Sequence, residues 1–173
     1  MFPRNLRKPQ SADEGFRAFA VGSVAAGGRN GHPVASGPLF AWKVCQLHSD
    51  KRQLLIGMTD LGYELLEALD NISLDAPHPS ETAERFFAYL REHAPGDWWG
   101  FETVLDAVAE EPDRNTLLAH FKAAQPDWSD AVVGTNSQGY VGRSREWGLI
   151  EPKQIQGRYL LTDFGRQILK DVK

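Results

Sequence analysis

The sequence predicts a mainly α-helical protein that carries small β-hairpins and uses one structural unit twice. Three observations lead there. The phrase Thr-Asp-x-Gly, followed by two further residues and an apolar pair, starts at Thr59 (TDLGYELL) and again at Thr162 (TDFGRQIL). A fixed phrase repeated at a distance is the mark of a duplicated unit. Apolar residues recur at helical spacing through most of residues 80–124. Short apolar runs interrupted by polar turns precede each copy of the phrase, as strands of a hairpin would.

The elements follow in order. The N-terminal stretch MFPRNLRKPQSADE is basic and has no apolar segment behind it, so it reads as a flexible tail over 1–11 rather than a secretory signal. Residues 12–74 form a first, divergent or truncated unit. Within it VGSVAAGGRNGHPVASGPL is too rich in Gly and Pro for a regular helix, and GSVAAGGRNG reads as a loop. AWKVCQL and QLLIGMT are the strands of a hairpin with HSDKR at its tip, and LGYELLEALDNI is the helix that closes the unit. Pro77 and Pro79 lie in a linker over 75–80, and a second unit spans 81–173. There Ser80 is placed to cap a helix with Glu81 and Glu84 in its first turn, whose inner side is Phe86, Phe87, Leu90 and Ala94. After the Pro95-Gly96 break, Phe101, Val104, Leu105 and Val108 mark a second helix, which Pro112 ends. Asp113 can cap a third, with Leu117, Leu118 and Phe121 inward, ended by Pro126. A fourth is expected over about 135–147, weakened at Gly139 and Gly142 by up to about 1 kcal/mol each, with Gly148 as its left-handed stop. LIEPKQ and RYLLT are two short strands turning at Gln156-Gly157, and Asp163 to Val172 is a last helix with Phe164, Ile168 and Leu169 inward.

Composition excludes several classes. With 42% apolar and 24% charged residues the 173-residue chain has a soluble, globular composition and enough length to bury a core. No apolar run approaches the roughly 20 residues of a membrane span. The single cysteine, Cys45, rules out an internal disulfide framework and fits a cytoplasmic protein. The five histidines stand at no metal spacing, no Gly-Lys-Ser/Thr phosphate loop or nucleophile elbow is present, and Asp106 and Glu110 read better as a solvated helix face than as an acid pair. Neither an enzyme nor a cofactor is expected. The net charge of −4 conceals a pattern: residues 1–52 hold eight bases against three acids, and residues 134–173 seven bases against four. Between them residues 80–133 hold eleven acids against four bases, so two basic blocks flank an acidic one. Bound phosphate responds to local potential, not to the total.

Helices followed by a two-stranded hairpin and a closing helix resemble the winged helix-turn-helix superfamily, particularly its MarR-like and PadR-like branches. REWGLIE (145–151) resembles that family's phrase at the end of the recognition helix and the first wing strand, and YLLTDFGR (159–166) its second wing strand and the cap of the next helix. Thr162 can take the first free N–H groups of that helix, and Gly165 leaves room where it crosses packed backbone. The resemblance implies a tandem pair of winged-helix units, with transcriptional or other DNA-transaction regulation as the function and double-stranded DNA as the partner. A recognition helix enters the major groove while the wing reaches phosphates or the neighbouring minor groove. Asn136, Ser137, Gln138, Tyr140, Arg143 and Arg145 cluster on or just before the recognition helix, and Lys153 and Arg158 flank the wing turn. Asn and Gln suit adenine, Arg suits guanine, and Ser, Tyr and Lys suit phosphate. In the first copy Arg29, Asn30, Lys43, Lys51 and Arg52 hold corresponding places. The tryptophans Trp98, Trp99, Trp128 and Trp147 read as packing residues. The resemblance is compatible with a homodimer, or with tandem units that replace one.

The alternative is a non-catalytic protein-interaction module. Some tandem winged-helix proteins of similar size and acidity bind protein instead of DNA, such as the small subunits seated on the kleisin of chromosome-organising complexes. The acidic 80–133 block and the glycines of YVGRSREWG favour that class.

Overall fold

The computed structural model describes residues 20–25, 34–50, 53–69, Ile72, His78 and 80–172. The described residues are mainly helical, with two small antiparallel hairpins. The chain falls into two compact units, Met1–Ala68 and Leu69–Lys173.

In the first unit β1 (Val24–Ala25) pairs antiparallel with β2 (Val34–Ala35). The stretch read as a loop thus contributes a strand residue pair at Val24 and Ala25, and its residues 26–31 lie outside the described residues. A short helix, α1 (Pro38–Ala41), follows, with Pro38 at its first position, where a missing N–H is harmless. Trp42 closes α1, and β3 (Cys45–Asp50) and β4 (Gln53–Met58) form the expected hairpin in the register Cys45↔Met58 to Asp50↔Gln53. The helix α2 (Asp60–Ala68) buries Gly62 and Leu65.

The second unit is a bundle of five helices: α3 (Ser80–His93), α4 (Pro95–Val108), α5 (Arg114–Ala124), α6 (Asp130–Glu146) and α7 (Asp163–Val172). α4 is central, in contact with α3, α5, α6 and α7, and its Phe101, Val104, Leu105 and Val108 are all buried as their spacing predicts. Phe86, Phe87, Leu90 and Ala94 join them from α3 and its end, and Leu117 and Phe121 from α5. Ser80 is itself the first helical residue of α3, one position inside the cap expected of it. α4 starts at Pro95, not after it, because the fixed φ of proline suits the first turn of a helix. α6 starts five residues earlier than expected, with Ser129 accepting the Val132 N–H as its cap. Its glycines do not break it: Gly134, Gly139 and Gly142 all face open space.

LIEPKQ and RYLLT form an irregular antiparallel hairpin held by isolated bridges at Ile150↔Leu161 and Ile155↔Arg158, not regular strands. Pro152 lacks an N–H for the ladder. The tip is as expected, since Gln156 (φ 51) and Gly157 (φ 77) both take the left-handed region that a tight two-residue turn requires. Ile155 and Arg158 exchange both backbone bonds at 3.0 Å.

Candidate nucleic-acid interface

The surface formed by α5, α6 and the Ile150–Leu161 hairpin is assembled locally. Asp113 caps α5 by accepting the Thr116 N–H at 2.8 Å, and that bond, first among its surroundings, holds its carboxyl below the usual carboxylate value. The hairpin lies against the connector that precedes α5: the Tyr159 N–H donates to the Pro112 carbonyl at 3.0 Å and Arg158 Nη1 to the Glu111 carbonyl at 2.8 Å. At the far end, Gly148 (φ 70) stops α6 in the left-handed conformation anticipated for it, and Leu149 and Ile150 enter the core. The two helices and the hairpin are therefore fixed to one another through backbone bonds and buried residues.

α6 turns Val133, Ser137, Tyr140, Val141 and Ser144 inward. Ser137 is fully buried, with its hydroxyl donating to the Gly134 carbonyl at 3.1 Å. Tyr140 is buried where Gly100 leaves room for its ring, and its hydroxyl donates to Asp97 Oδ1 at 2.8 Å. Burial, with the adjacent Asp97 charge adding to it, pushes the phenol up to about 12. Arg143 Nη1 donates to both oxygens of Asp97 at 3.1 and 3.0 Å, while its guanidinium lies 4.2 Å from the Tyr140 ring centre and 5.2 Å from that of Phe101. Ser137 and Tyr140, read from the sequence as outward DNA contacts, are thus turned into the core. Arg143 is held as the clasp between α6 and the first turn of α4, so its charge is already matched.

The outward side is different. Gln138 is exposed, and Asn136 is half-buried with its amide donating to the Val132 carbonyl at 3.0 Å. Arg145 stacks its guanidinium 5.6 Å from the Tyr159 ring centre, and its Nε is buried with no hydrogen-bond partner. Arg114, Gln138, Arg145 and Tyr159 meet around a cleft of about 280 Å³ floored by Leu117 and Val141. Lys153 and Arg158 are exposed on the hairpin. In the first unit Lys43 is exposed, directly after α1 and before β3, whereas Arg29, Asn30, Lys51 and Arg52 lie outside the described residues. Three members of this surface and its support were not anticipated: Arg114, Tyr159 and Asp97. Arg114 had a signal, because a cation in the first turn of a helix opposes the dipole and needs another reason to be there.

The tryptophans pack as expected. Trp147 stacks on Phe86 with ring centres 4.3 Å apart, and Trp99 meets Trp128 edge-on at 5.5 Å. Among the described residues no group of acids, histidines or cysteine could hold a metal ion, and no helix is long and apolar enough to cross a membrane. Asp106 and Glu110 are exposed, and burial pushes the Cys45 thiol up, away from the thiolate form a nucleophile needs. No protein-family model, curated protein or solved structure matches this chain.

Proposed function

We propose that this protein is a DNA-binding regulator of tandem winged-helix type, and that its second unit grips duplex DNA through the outward side of α6 and the hairpin. The observation that carries this reading is the convergence of Arg114 from α5, Gln138 and Arg145 from α6, and Tyr159 from the hairpin on one surface. Both helices of a helix-turn-helix and its wing contribute there, which is the combination that docks a helix in a major groove. The hairpin laid against Pro112, between α4 and α5, supports the same topology. Lys153 and Arg158 extend the positive surface along the hairpin, where phosphate contact needs charge and not geometry. The recurrence of the Thr-Asp-x-Gly corner after the β3–β4 hairpin supports a first unit of the same kind. Binding to random-sequence duplex across a salt series tests this. Affinity is expected to fall steeply with salt, Lys153→Ala to lower the salt slope by about one, and Arg145→Ala to weaken binding by about 1–3 kcal/mol. Absence of binding at about 50 mM salt removes the reading.

One observation favours the protein-interaction alternative. Leu54, Leu55, Ile56 and Met58 of β4 and Tyr63 and Leu66 of α2 are all exposed. A sheet strand that is apolar on both faces and uncharged is suited to contact with another protein chain, a homodimer included. Light scattering on the sample used for the salt series reads the second case directly.

A further inference from the structure

We propose that the cleft between α5, α6 and the hairpin is an oxyanion pocket that takes a phosphoryl group, with Arg145 as its main ligand and Arg114 and Gln138 completing it. The proposal rests on the DNA reading only for the source of that group, a backbone phosphate, the other source being a free phosphate or phosphomonoester.

Four features point to an oxyanion. Two arginines, Arg114 and Arg145, line the cleft, and among the described residues that line it none is acidic. Arg143, two residues away, is neutralised by Asp97, but Arg145 has no ion pair of its own among the described residues, and its Nε is buried without an acceptor. A buried donor left unmatched is unfavourable, and guanidinium donors are matched best by the two oxygens of a phosphate or carboxylate. The Tyr159 ring beside the guanidinium orients it, which reduces the freedom lost when a ligand binds. Gln138 adds an amide donor, and Gly142 leaves the α6 wall without a side chain. At about 280 Å³ the space lies at the small end of ligand sites, large enough for a phosphoryl group and its immediate substituent. The same recess explains why Arg145 suits phosphate better than a base edge, since a base-reading side chain must project freely into the groove.

The test is an amide NMR titration of the full chain with inorganic phosphate, against chloride at matched ionic strength. Saturable shifts specific to phosphate at Gln138, Gly142 and Tyr159, reduced at least tenfold in affinity by Arg145→Gln, are expected. Gly142→Leu, which narrows the cleft without touching a charge, is expected to weaken phosphate similarly while the spectrum of the core is retained. Absence of saturation by about 20 mM phosphate, or unchanged affinity in both variants, overturns the proposal. A short duplex added to the phosphate-loaded protein separates the sources. Displacement of inorganic phosphate by the duplex, with the same amides remaining shifted, identifies a DNA phosphate as the resident group. Phosphate binding in a protein that fails to bind duplex identifies a free phosphate compound, and the DNA reading then fails while the pocket stands.

Discussion

The two Thr-Asp-x-Gly corners are the same object built into two very different units. In the first, Thr59 donates its hydroxyl to the Lys43 carbonyl at 2.5 Å and accepts the Gly62 N–H at 3.0 Å, while its own N–H donates to the Val44 carbonyl at 3.0 Å. In the second, Thr162 donates to the Gly148 carbonyl at 2.5 Å, accepts the Gly165 N–H at 2.9 Å, and its N–H reaches the Leu149 carbonyl at 3.1 Å. Even the helix ends correspond, with Trp42 closing α1 as Trp147 closes α6, each followed by a left-handed residue. Around the corners the units diverge. Of the buried apolar residues among those described, Ala20 and Leu65 belong to the first unit and twenty-one to the second, yet the corner is the same in both. The threonine hydroxyl, which caps the helix and ties it to the residues that lead into the hairpin, forms it locally.

The glycine of the phrase offers the strongest way to break this comparison. A Cβ on Gly165 would collide with the Leu149 carbonyl oxygen, and one on Gly62 with that of Val44. Gly165→Ala is expected to destabilise the second unit by about 3 kcal/mol or more, because backbone must move to admit it. Gly62→Ala meets the same clash in a unit with few buried apolar residues among those described, and calorimetry is expected to show the main transition unmoved. Equal loss of the main transition in both variants would mean that the units do not differ as described.

A second prediction concerns the clasp of the larger unit alone. The Tyr140 phenol is pushed up to about 12 in the fold, chiefly by burial, while in the unfolded chain it titrates at its ordinary value near 10. Its contribution is therefore fully present below pH 10 and is lost as the pH rises from about 10 to 12, a decline of about 2 kcal/mol. Denaturant unfolding at stepped alkaline pH measures it, and Tyr140→Phe is expected to flatten that step.

Smaller effects sharpen the comparison. Thr162→Val removes the acceptor of the Gly165 N–H and is expected to destabilise the second unit by about 1–2 kcal/mol. Thr59→Val removes the same bond at Gly62, and faster hydrogen exchange confined to α2 is the expected readout. The smallest effect tests the one place where the copies differ in backbone chemistry. Lys43 holds φ 60, where the second copy has Gly148 at φ 70. Lys43→Gly is expected to stabilise the first corner by about 1 kcal/mol, because glycine adopts that conformation without steric penalty.

Much of this was legible in the residues. Asp113 as a cap, Gly148 as a stop, the inner sides of α3 and α4, Leu117 and Phe121 of α5 (Leu118 is half-buried), and the turn at Gln156-Gly157 all follow from local chemistry, and local chemistry is what a sequence displays. The orientation of α6 was not legible. Its buried side is Val133, Ser137, Tyr140, Val141 and Ser144, and its open side carries three glycines, so polar and apolar residues do not separate by face. The pairing of Arg143 was hidden for another reason: its partner Asp97 stands 46 residues away, in a first turn masked by reading Pro95 as a break. Ion pairs across a fold leave no mark on local spacing.

The most direct measurement is a map of amide shifts when random-sequence duplex is added at about 50 mM salt. Shifts are expected to concentrate at Gln138, Gly142, Arg145, Lys153 and Tyr159, with Asp97 and the inner side of α6 unchanged. An unperturbed spectrum, or shifts confined to β4 and α2, would contradict the DNA reading.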